Sequence, residues 1–439
     1  MDVDALKAHL AKSPTVRAQG RVIGVTGLAV RLTLPSARIG DMVRLMRQGD
    51  PLLAEVVGFD AGEAVAIPLG ELTGLALDDA VVSTGAPLTV RVGPALLGRV
   101  LGGLGEPLDG RPLPSGLRRL PVQRPAPPAL KRRPIVRPTK TGLRVIDGLL
   151  TIGEGQRLGL FAGSGVGKST LLGSIARGTS ADAVVVALVG ERGREVAEFL
   201  DTSLGEAGRE RAVVVVATSD APAIERVRAA QVATTLAESL RDEGANVLLL
   251  VDSITRFARA AREVGLAAGE PPTRRGYPPS VFAALPRLLE RAGQAEQGSI
   301  TGIYTVLVEG DDLEEPVADE VRGILDGHLL LSRQLAARGH YPAIDVPGSI
   351  SRAMPRIVTP PHLADARAVQ RLLAAYEAKR DLLALGAYAQ GSDPVMDRAI
   401  EARPALDAFL AQAPEAASGF DATVDALRDL ARRFGPHDG

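Results

Sequence analysis

Ala162-Gly163-Ser164-Gly165-Val166-Gly167-Lys168-Ser169 follows the apolar run Leu158–Phe161 and leads into Thr170–Arg177, which is patterned as a helix. Strand, glycine-rich loop and helix in that order make a phosphate-binding loop, with Ala162 where the strict pattern has its first glycine. Three glycines let successive backbone N–H groups turn inward without Cβ obstruction. Lys168 supplies a point charge to the β- and γ-phosphates, the Ser169 hydroxyl is placed for Mg²⁺, and the helix N-terminus faces the same anion. The candidate nucleotide contacts are therefore Gly163, Ser164, Gly165, Val166, Gly167, Lys168, Ser169 and Thr170. Only six of the 51 basic residues are lysine, which makes an incidental lysine in this loop a poor explanation.

Outward from the loop the same texture repeats. Val184–Val189, Val213–Ala217, Val247–Val251 and Ile300–Val308 are further aliphatic runs of strand length, separated mostly by Ala-, Arg- and Glu-rich helical stretches. Near-continuous apolar strands alternating with helices predict an α/β fold, a parallel sheet covered on both faces. Such sheets bind ligands at the carboxyl ends of their strands, so the residues directly after each strand carry the chemistry. Asp252 comes immediately after Leu248–Val251, the expected position of a magnesium-side carboxylate. Glu191 ends the Val184–Val189 strand in Gly190-Glu191-Arg192, where a carboxylate could polarise an attacking water. The turn Glu309-Gly310-Asp311-Asp312 could face the same edge, with a structural or subunit-contact role preferred.

The flanks read differently. Between about 20 and 87 lie short β-rich runs, Arg21–Val25, Leu28–Leu34, Met42–Met46, Leu52–Val57 and Ala64–Pro68, at a spacing that predicts a small barrel or sandwich. Residues 2–12 form a short amphipathic leader. Residues 107–144 are proline-rich and strongly basic, with no acid between Asp109 and Asp147. No aromatic is interleaved there, so a linker packed along an acidic neighbouring surface is preferred to a nucleic-acid arm. After about 356 the strands stop, and Ala364–Leu385 and Val424–Phe434 predict a closing helical domain. The expected division is a leader at 1–19, a barrel at 20–87, an α/β domain at 88–355 that includes the basic linker 107–144, and helices at 356–439.

Composition limits what such a chain can do. A length of 439 residues, 46% hydrophobic and 23% charged, indicates a folded protein of two or three domains. Net charge is −1 and aromatics are 3% with no Trp, which argues against a polycation or a base-stacking surface. Cysteine is absent and the five histidines, His9, His328, His340, His362 and His437, lack metal-ligand spacing. No signal-peptide core or membrane-length apolar run is present, so a cytoplasmic location is expected.

Longer motifs carry a family resemblance. Gly190-Glu191-Arg192-Gly193-Arg194-Glu195, Val251-Asp252-Ser253-Ile254-Thr255-Arg256-Phe257, Gly276-Tyr277-Pro278-Pro279-Ser280-Val281-Phe282 and Gly339-His340-Tyr341-Pro342-Ala343-Ile344-Asp345 resemble the catalytic subunits of rotary ATPases. Ala162, Glu270-Pro271-Pro272-Thr273-Arg274-Arg275 and Thr305-Val306-Leu307-Val308-Glu309-Gly310-Asp311-Asp312 look most like the type III protein-export ATPases. The resemblance covers nearly the whole chain. It implies a RecA-like ATPase core with an N-terminal β-barrel and a C-terminal helical domain, acting as a homohexamer on ATP and Mg²⁺ at sites between subunits.

In that resemblance Lys168, Glu191, Arg192 and Arg352 are catalytic. Glu191 is the catalytic carboxylate, Arg192 helps to hold it, and Arg352 in Gly348-Ser349-Ile350-Ser351-Arg352 reaches the γ-phosphate of the adjacent subunit. Ser169 and Asp252 are the Mg²⁺ residues, and Tyr341 lines the adenine pocket. Gly265-Leu266-Ala267-Ala268-Gly269-Glu270, after helix Ser253–Val264, faces the central channel. Implied partners are central-stalk and peripheral-stator proteins, chaperone–effector complexes and the export gate at the inner-membrane face, with no nucleic acid. Glu320-Val321-Arg322, Gly323–His328 and Thr273-Arg274-Arg275 look more like the injectisome branch than the flagellar one. A rotary synthase catalytic subunit and a Rho-type RNA translocase are the competing classes; single-stranded RNA should stimulate the second.

Overall fold

In the computed structural model, which describes residues 19–308, 310 and 312–435, the β-rich N-terminal stretch closes on itself as a six-stranded antiparallel barrel. Its strands are Gln19–Thr26, Ala29–Thr33, Asp41–Met46, Leu52–Asp60, Glu63–Pro68 and Ala80–Pro87. Alternation decides the inside: Val30, Leu32, Val43 and Leu45 are buried while Arg31 and Arg44 point out. The sixth strand pairs with both the first and the third, which removes the open edge. The sequence pattern does not announce this strand, because Ala80–Pro87 buries only Val81 and otherwise carries polar, glycine or half-exposed residues. The leader 2–12 lies outside the described residues.

The barrel is fastened to the rest of the chain by a buried ion pair. Glu55, on Leu52–Asp60, receives both Nε, at 2.7 Å, and Nη2 of Arg228, on helix Ala223–Asp242. Both side chains are less than a tenth exposed. Removing one partner strands the other charge in the interface. Arg228→Ala is therefore expected to lower stability by about 3–5 kcal/mol, while an apolar pair of similar volume recovers most of it. Urea unfolding of the two variants measures this.

The middle of the chain forms a nine-stranded sheet. Its path runs Ile344–Ser351, Gly327–Leu331, Arg157–Ala162, Ser299–Leu307, Asn246–Asp252, Ala183–Glu191, Ala212–Thr218 and Val100–Gly102, with Gly293–Gln294 paired off the path. All pairings on the path are parallel except that of Ile344–Ser351 with Gly327–Leu331. Each of the nine residues of Ala183–Glu191 is buried, as a strand covered on both faces requires. One face packs under Ala223–Asp242 and its neighbours, the other under the phosphate-loop helix Lys168–Gly178. Parallel register brings Ala162, Glu191 and Asp252 to one edge.

Three C-terminal helices, Pro360–Ala384, Pro394–Leu410 and Phe420–Phe434, share the second core with the sheet through Val369, Leu372, Phe409 and Leu427. The middle one is not expected from the sequence; Pro404 interrupts its pattern. The basic stretch packs on acidic neighbours. Arg118 pairs with Glu243 at 2.7 Å, Arg124 with Glu238 and Asp242 at 3.2 Å, Arg132 with Glu290 at 3.0 Å and Arg137 with Glu154 at 3.4 Å. Arg144 donates to the carbonyl of Phe409 at 2.8 Å.

Asp147 lies fully buried where the sheet meets these helices. Its carboxylate accepts from the Thr141 N–H at 2.9 Å, the Thr141 hydroxyl at 2.8 Å and the Gly142 N–H at 3.0 Å. Burial outweighs those bonds and pushes the carboxyl up to about 6. The unfolded chain ionises it nearer the ordinary value, so its contribution to stability falls as pH rises from about 4 to 6, by up to about 3 kcal/mol. The stability difference between the natural chain and Asp147→Asn should change in that direction over that window and be flat above it.

Candidate active site

The site is built on the carboxyl edge of the sheet. Gly165 and Gly167 adopt φ of 77° and 84°, a left-handed conformation that frees the loop to wrap inward. A Cβ on Gly167 would come to 3.1 Å from the Tyr341 ring, and one on Gly163 to 2.5 Å from Nε of Arg333. A side chain at Gly163 would have to displace the Arg333 guanidinium, and one at Gly167 would crowd the Tyr341 ring. Ser164, Ser169 and Thr170 are exposed, and Ser169 and Thr170 open helix Lys168–Gly178.

Lys168 ties the edge together. Its Nζ lies 2.5 Å from Oδ1 of Asp252 and 3.4 Å from Oε1 of Glu191. Burial alone would lower the ammonium pKa, but the charges of Asp252 and Glu191 outweigh it and raise it. Asp252 also accepts from the Thr305 hydroxyl at 2.7 Å, a contact set by the register that pairs Val251 with Tyr304 on the adjacent strand. Glu191 is 7% exposed. Burial first, then the negative charge of Asp252, pushes its carboxyl up to about 7 against the pull of Lys168 and Arg256. A carboxylate near 7 is matched to accepting a proton at neutral pH.

Arg192 is the one expected site residue that the structure moves out of its role. It does not hold Glu191; it turns outward at the start of helix Gly193–Glu198 and pairs with Glu195 at 3.5 Å, its side chain 65% exposed. Arg256 holds Glu191 instead, with Nη1 2.7 Å from Oε2 and a second bond to the Gly190 carbonyl. The physical reason is alternation: Glu191 points along the sheet edge, so the next residue faces away. Arg256 reaches it from helix Ile254–Ala267, whose N-terminus Ser253 caps by accepting from the Arg256 N–H. The Asp252–Ser253 peptide is cis.

Tyr341 borders a cavity of about 380 Å³ with Gly165, Gly167, Pro342, Gln412 and Pro414. The last two come from the connector between the second and third C-terminal helices, distant in sequence from the loop. Gln412 N–H donates to the Tyr341 carbonyl at 2.8 Å, and the Pro414 carbonyl accepts from Ser174 and Arg177 of the phosphate-loop helix at 2.9 and 2.7 Å. Sequence reasoning missed this wall, and no local pattern signals it.

Arg352 lies at the other end of the sheet. Ser351 opposes Gly327, whereas Ile344 opposes Leu331 beside the loop. The register sets these two ends four steps of Gly327–Leu331 apart, roughly 13 Å at ~3.3 Å per residue. Arg352 is exposed; its side chain donates to the Leu325 carbonyl at 3.3 Å and its N–H to the Asp326 carbonyl at 3.1 Å. In its own chain it is held at the end of the sheet away from the phosphate loop. The run Gly265–Ala267 is still helical, and Glu270 binds the Ser280 N–H at 3.2 Å. Glu309 and Asp311 lie outside the described residues; Asp312 pairs with Arg275 at 3.2 Å.

Known proteins match along the chain. Residues 142–351 match the nucleotide-binding domain of the ATP synthase alpha/beta family, 15–85 its beta-barrel domain, and 358–429 the T3SS EscN ATPase C-terminal domain. The chain is 52% identical to a type 3 secretion system ATPase of Xanthomonas euvesicatoria, covering 97% of both chains. It is 48% identical to a flagellum-specific ATP synthase of Bacillus subtilis, covering 98% of this chain and 99% of that one. Its fold is similar to the assembled ATPase EscN from the enteropathogenic E. coli type III secretion system, with a TM-score of 0.89 and 47% identity over 94% of this chain and 99% of that one. EscN in complex with its central stalk EscO gives a TM-score of 0.86 at 46% identity, covering 94% of this chain and 99% of that one.

Proposed function

The chain belongs to the type III export ATPases of the ATP synthase alpha/beta family, and from that premise we propose that it is a homohexameric ATPase of the injectisome branch that powers protein secretion. ATP hydrolysis itself follows from the family. One observation carries the site: Lys168, Asp252, Glu191 and Arg256 form a single hydrogen-bonded unit beside the loop, while Arg352 stands at the opposite end of the sheet. A head-to-tail ring unites the two halves.

In this mechanism the loop amides and Lys168 hold the β- and γ-phosphates. Arg256 fixes one oxygen of Glu191, leaving the other to orient a water for in-line attack on the γ-phosphorus and to take its proton. Arg352 of the neighbouring subunit neutralises charge on the γ-phosphate as the bond to ADP breaks. Among the described residues no cluster of three or more His, Asp or Glu could hold a metal ion. A Ser169 hydroxyl and the Asp252 carboxylate are hard oxygen donors that fit Mg²⁺ arriving with the phosphates, where the ion would neutralise phosphate charge. Tyr341 stacks on the base. Arg192 has no place in this scheme within its own chain.

The division proposed for the chain is a barrel at 20–87, an ATPase domain at 88–355 and helices at 356–439, with 1–19 as a leader. Central-stalk and stator proteins, chaperone–effector complexes and the export gate are the proposed partners; a stalk partner is supported by the EscN–EscO relative. The Gly265–Glu270 segment is the proposed contact with the channel. No helix of the described residues is long and apolar enough to cross a membrane, so membrane association would be peripheral. In cells whose only copy carries Lys168→Ala, secretion should stop; secretion at the natural level would overturn the reading. Stimulation of turnover by single-stranded RNA would favour the translocase alternative.

A further inference from the structure

Thr305 is a polar residue in a place built for an aliphatic one. Two residues earlier on strand Ser299–Leu307, Ile303 lies between Leu158 and Leu250, all three buried in the core under the phosphate-loop helix. Alternation gives Thr305 the same face and turns Tyr304 and Val306 to the opposite core. Thr305 is 0% exposed. Valine has the same branched shape and is likewise favoured in strands, so neither packing nor strand formation accounts for the hydroxyl. Burying a hydroxyl costs free energy unless it is hydrogen-bonded. Here it donates to Oδ1 of Asp252 at 2.7 Å, with the Val251 carbonyl a distant second acceptor at 3.4 Å. A hydroxyl bonded to an ionised carboxylate makes a bond roughly twice as strong as one between neutral groups.

The sheet fixes that hydroxyl from both sides. Thr305 pairs with Leu160 on one neighbouring strand, and on the other Asp252 comes one step after the pair of Val251 with Tyr304. Just beyond, the Leu307 N–H donates to the Thr255 hydroxyl at 2.8 Å and the Val308 N–H to the Ala162 carbonyl at 3.1 Å. Lys168 meets the same oxygen of Asp252, but it also approaches Glu191 and is the group assigned to the phosphates. Thr305, buried within the sheet, has no part in holding phosphate. We propose that Thr305 is a positioning residue for magnesium: it pins Oδ1 of Asp252, so that the carboxylate keeps one orientation toward Mg²⁺ while Lys168 engages the phosphates. This rests on the reading of Ser169 and Asp252 as the Mg²⁺ residues. The hydroxyl acts only through Asp252. Losing a hydrogen bond behind a metal-side group typically costs about 10–100-fold in metal affinity or activity.

Two substitutions in the full chain test the proposal, since Thr305→Val keeps the shape and removes the bond, whereas Thr305→Ser keeps the bond. The affinity for a ribose-labelled fluorescent ADP is measured across free Mg²⁺ concentrations, from EDTA upwards. The Mg²⁺ concentration that half-completes the gain in affinity should rise about 10–100-fold in Thr305→Val. It should return close to the natural value in Thr305→Ser, and affinity in EDTA should be the same in all three proteins. The Mg²⁺ concentration for half-maximal ATP hydrolysis should move in step. In an Asp252→Ala background Thr305→Val should add no further shift, because the partner through which it acts is gone. A Mg²⁺ midpoint unmoved by Thr305→Val would overturn the proposal. So would a loss of labelled ADP that is equal with and without Mg²⁺, which is the mark of a packing defect. Affinity of the natural chain that ignores Mg²⁺ altogether would overturn the magnesium reading of Asp252, and the proposal with it.

Discussion

Glu191→Gln is expected to cut steady-state ATP hydrolysis by about 10²–10⁴-fold while the protein still binds ATP. The substitution keeps the size of the side chain and the acceptor oxygen that Lys168 approaches, but removes the group that takes the proton from the attacking water. The nearby contacts make the result specific. Lys168 retains Asp252 at 2.5 Å, and the Thr305 hydroxyl retains Asp252 at 2.7 Å, so the loop helix and the neighbouring strands keep their positions. A fluorescent nucleotide titration should give a dissociation constant within severalfold of the natural chain. Lys168→Ala should behave differently, losing binding and turnover together, because the ammonium neutralises phosphate charge in the ground state as well as in the transition state. Full turnover by Glu191→Gln would show that another group activates the water.

Arg352→Ala is expected to reduce turnover by about 10³–10⁵-fold, the scale on which a trans arginine stabilises a phosphoryl-transfer transition state. Its folded environment argues that nothing else will be lost. The side chain is exposed, and its one hydrogen bond among the described residues, to the Leu325 carbonyl, is long at 3.3 Å. The thermal midpoint should therefore move little, since surface substitutions of this kind stay within about ±0.5 kcal/mol. Nucleotide affinity of the isolated protomer should be unchanged as well, because Arg352 is at the far end of the sheet from Lys168. A variant that lost turnover only by unfolding would show a lowered midpoint.

Local information is what makes a feature legible in the residues alone. The phosphate loop, Asp252 and Glu191 are legible because each sits at the end of a buried strand, and continuous aliphatic runs such as Ala183–Glu191 announce those strands. The antiparallel strand Ile344–Ser351 is not, since Pro347 and Gly348 interrupt it and five of its eight residues are only partly buried or exposed. Arg256 and Arg192 show the same limit at the site. Adjacency to Glu191 favours Arg192, yet the partner comes from far along the chain, after a strand and a helix cap have aimed it. Thr305 needs the register between two strands, and Gln412 and Pro414 need the docking of the C-terminal helices on the sheet. Arg352 is legible only through the motif that the chain shares with its relatives; its distance from Lys168 is what gives the shared arginine a reason.

The central claim is that each active site takes Lys168 and Glu191 from one subunit and Arg352 from the next. Mixing Lys168→Ala protein with Arg352→Ala protein before assembly measures it most directly. Each variant alone should be nearly inactive. Random mixed rings should regain ATP hydrolysis, because roughly a quarter of the interfaces then pair an intact Lys168 with an intact Arg352. A mixture that stays at the level of the separate variants, with mixed hexamers verified by differently tagged chains, would contradict a shared site.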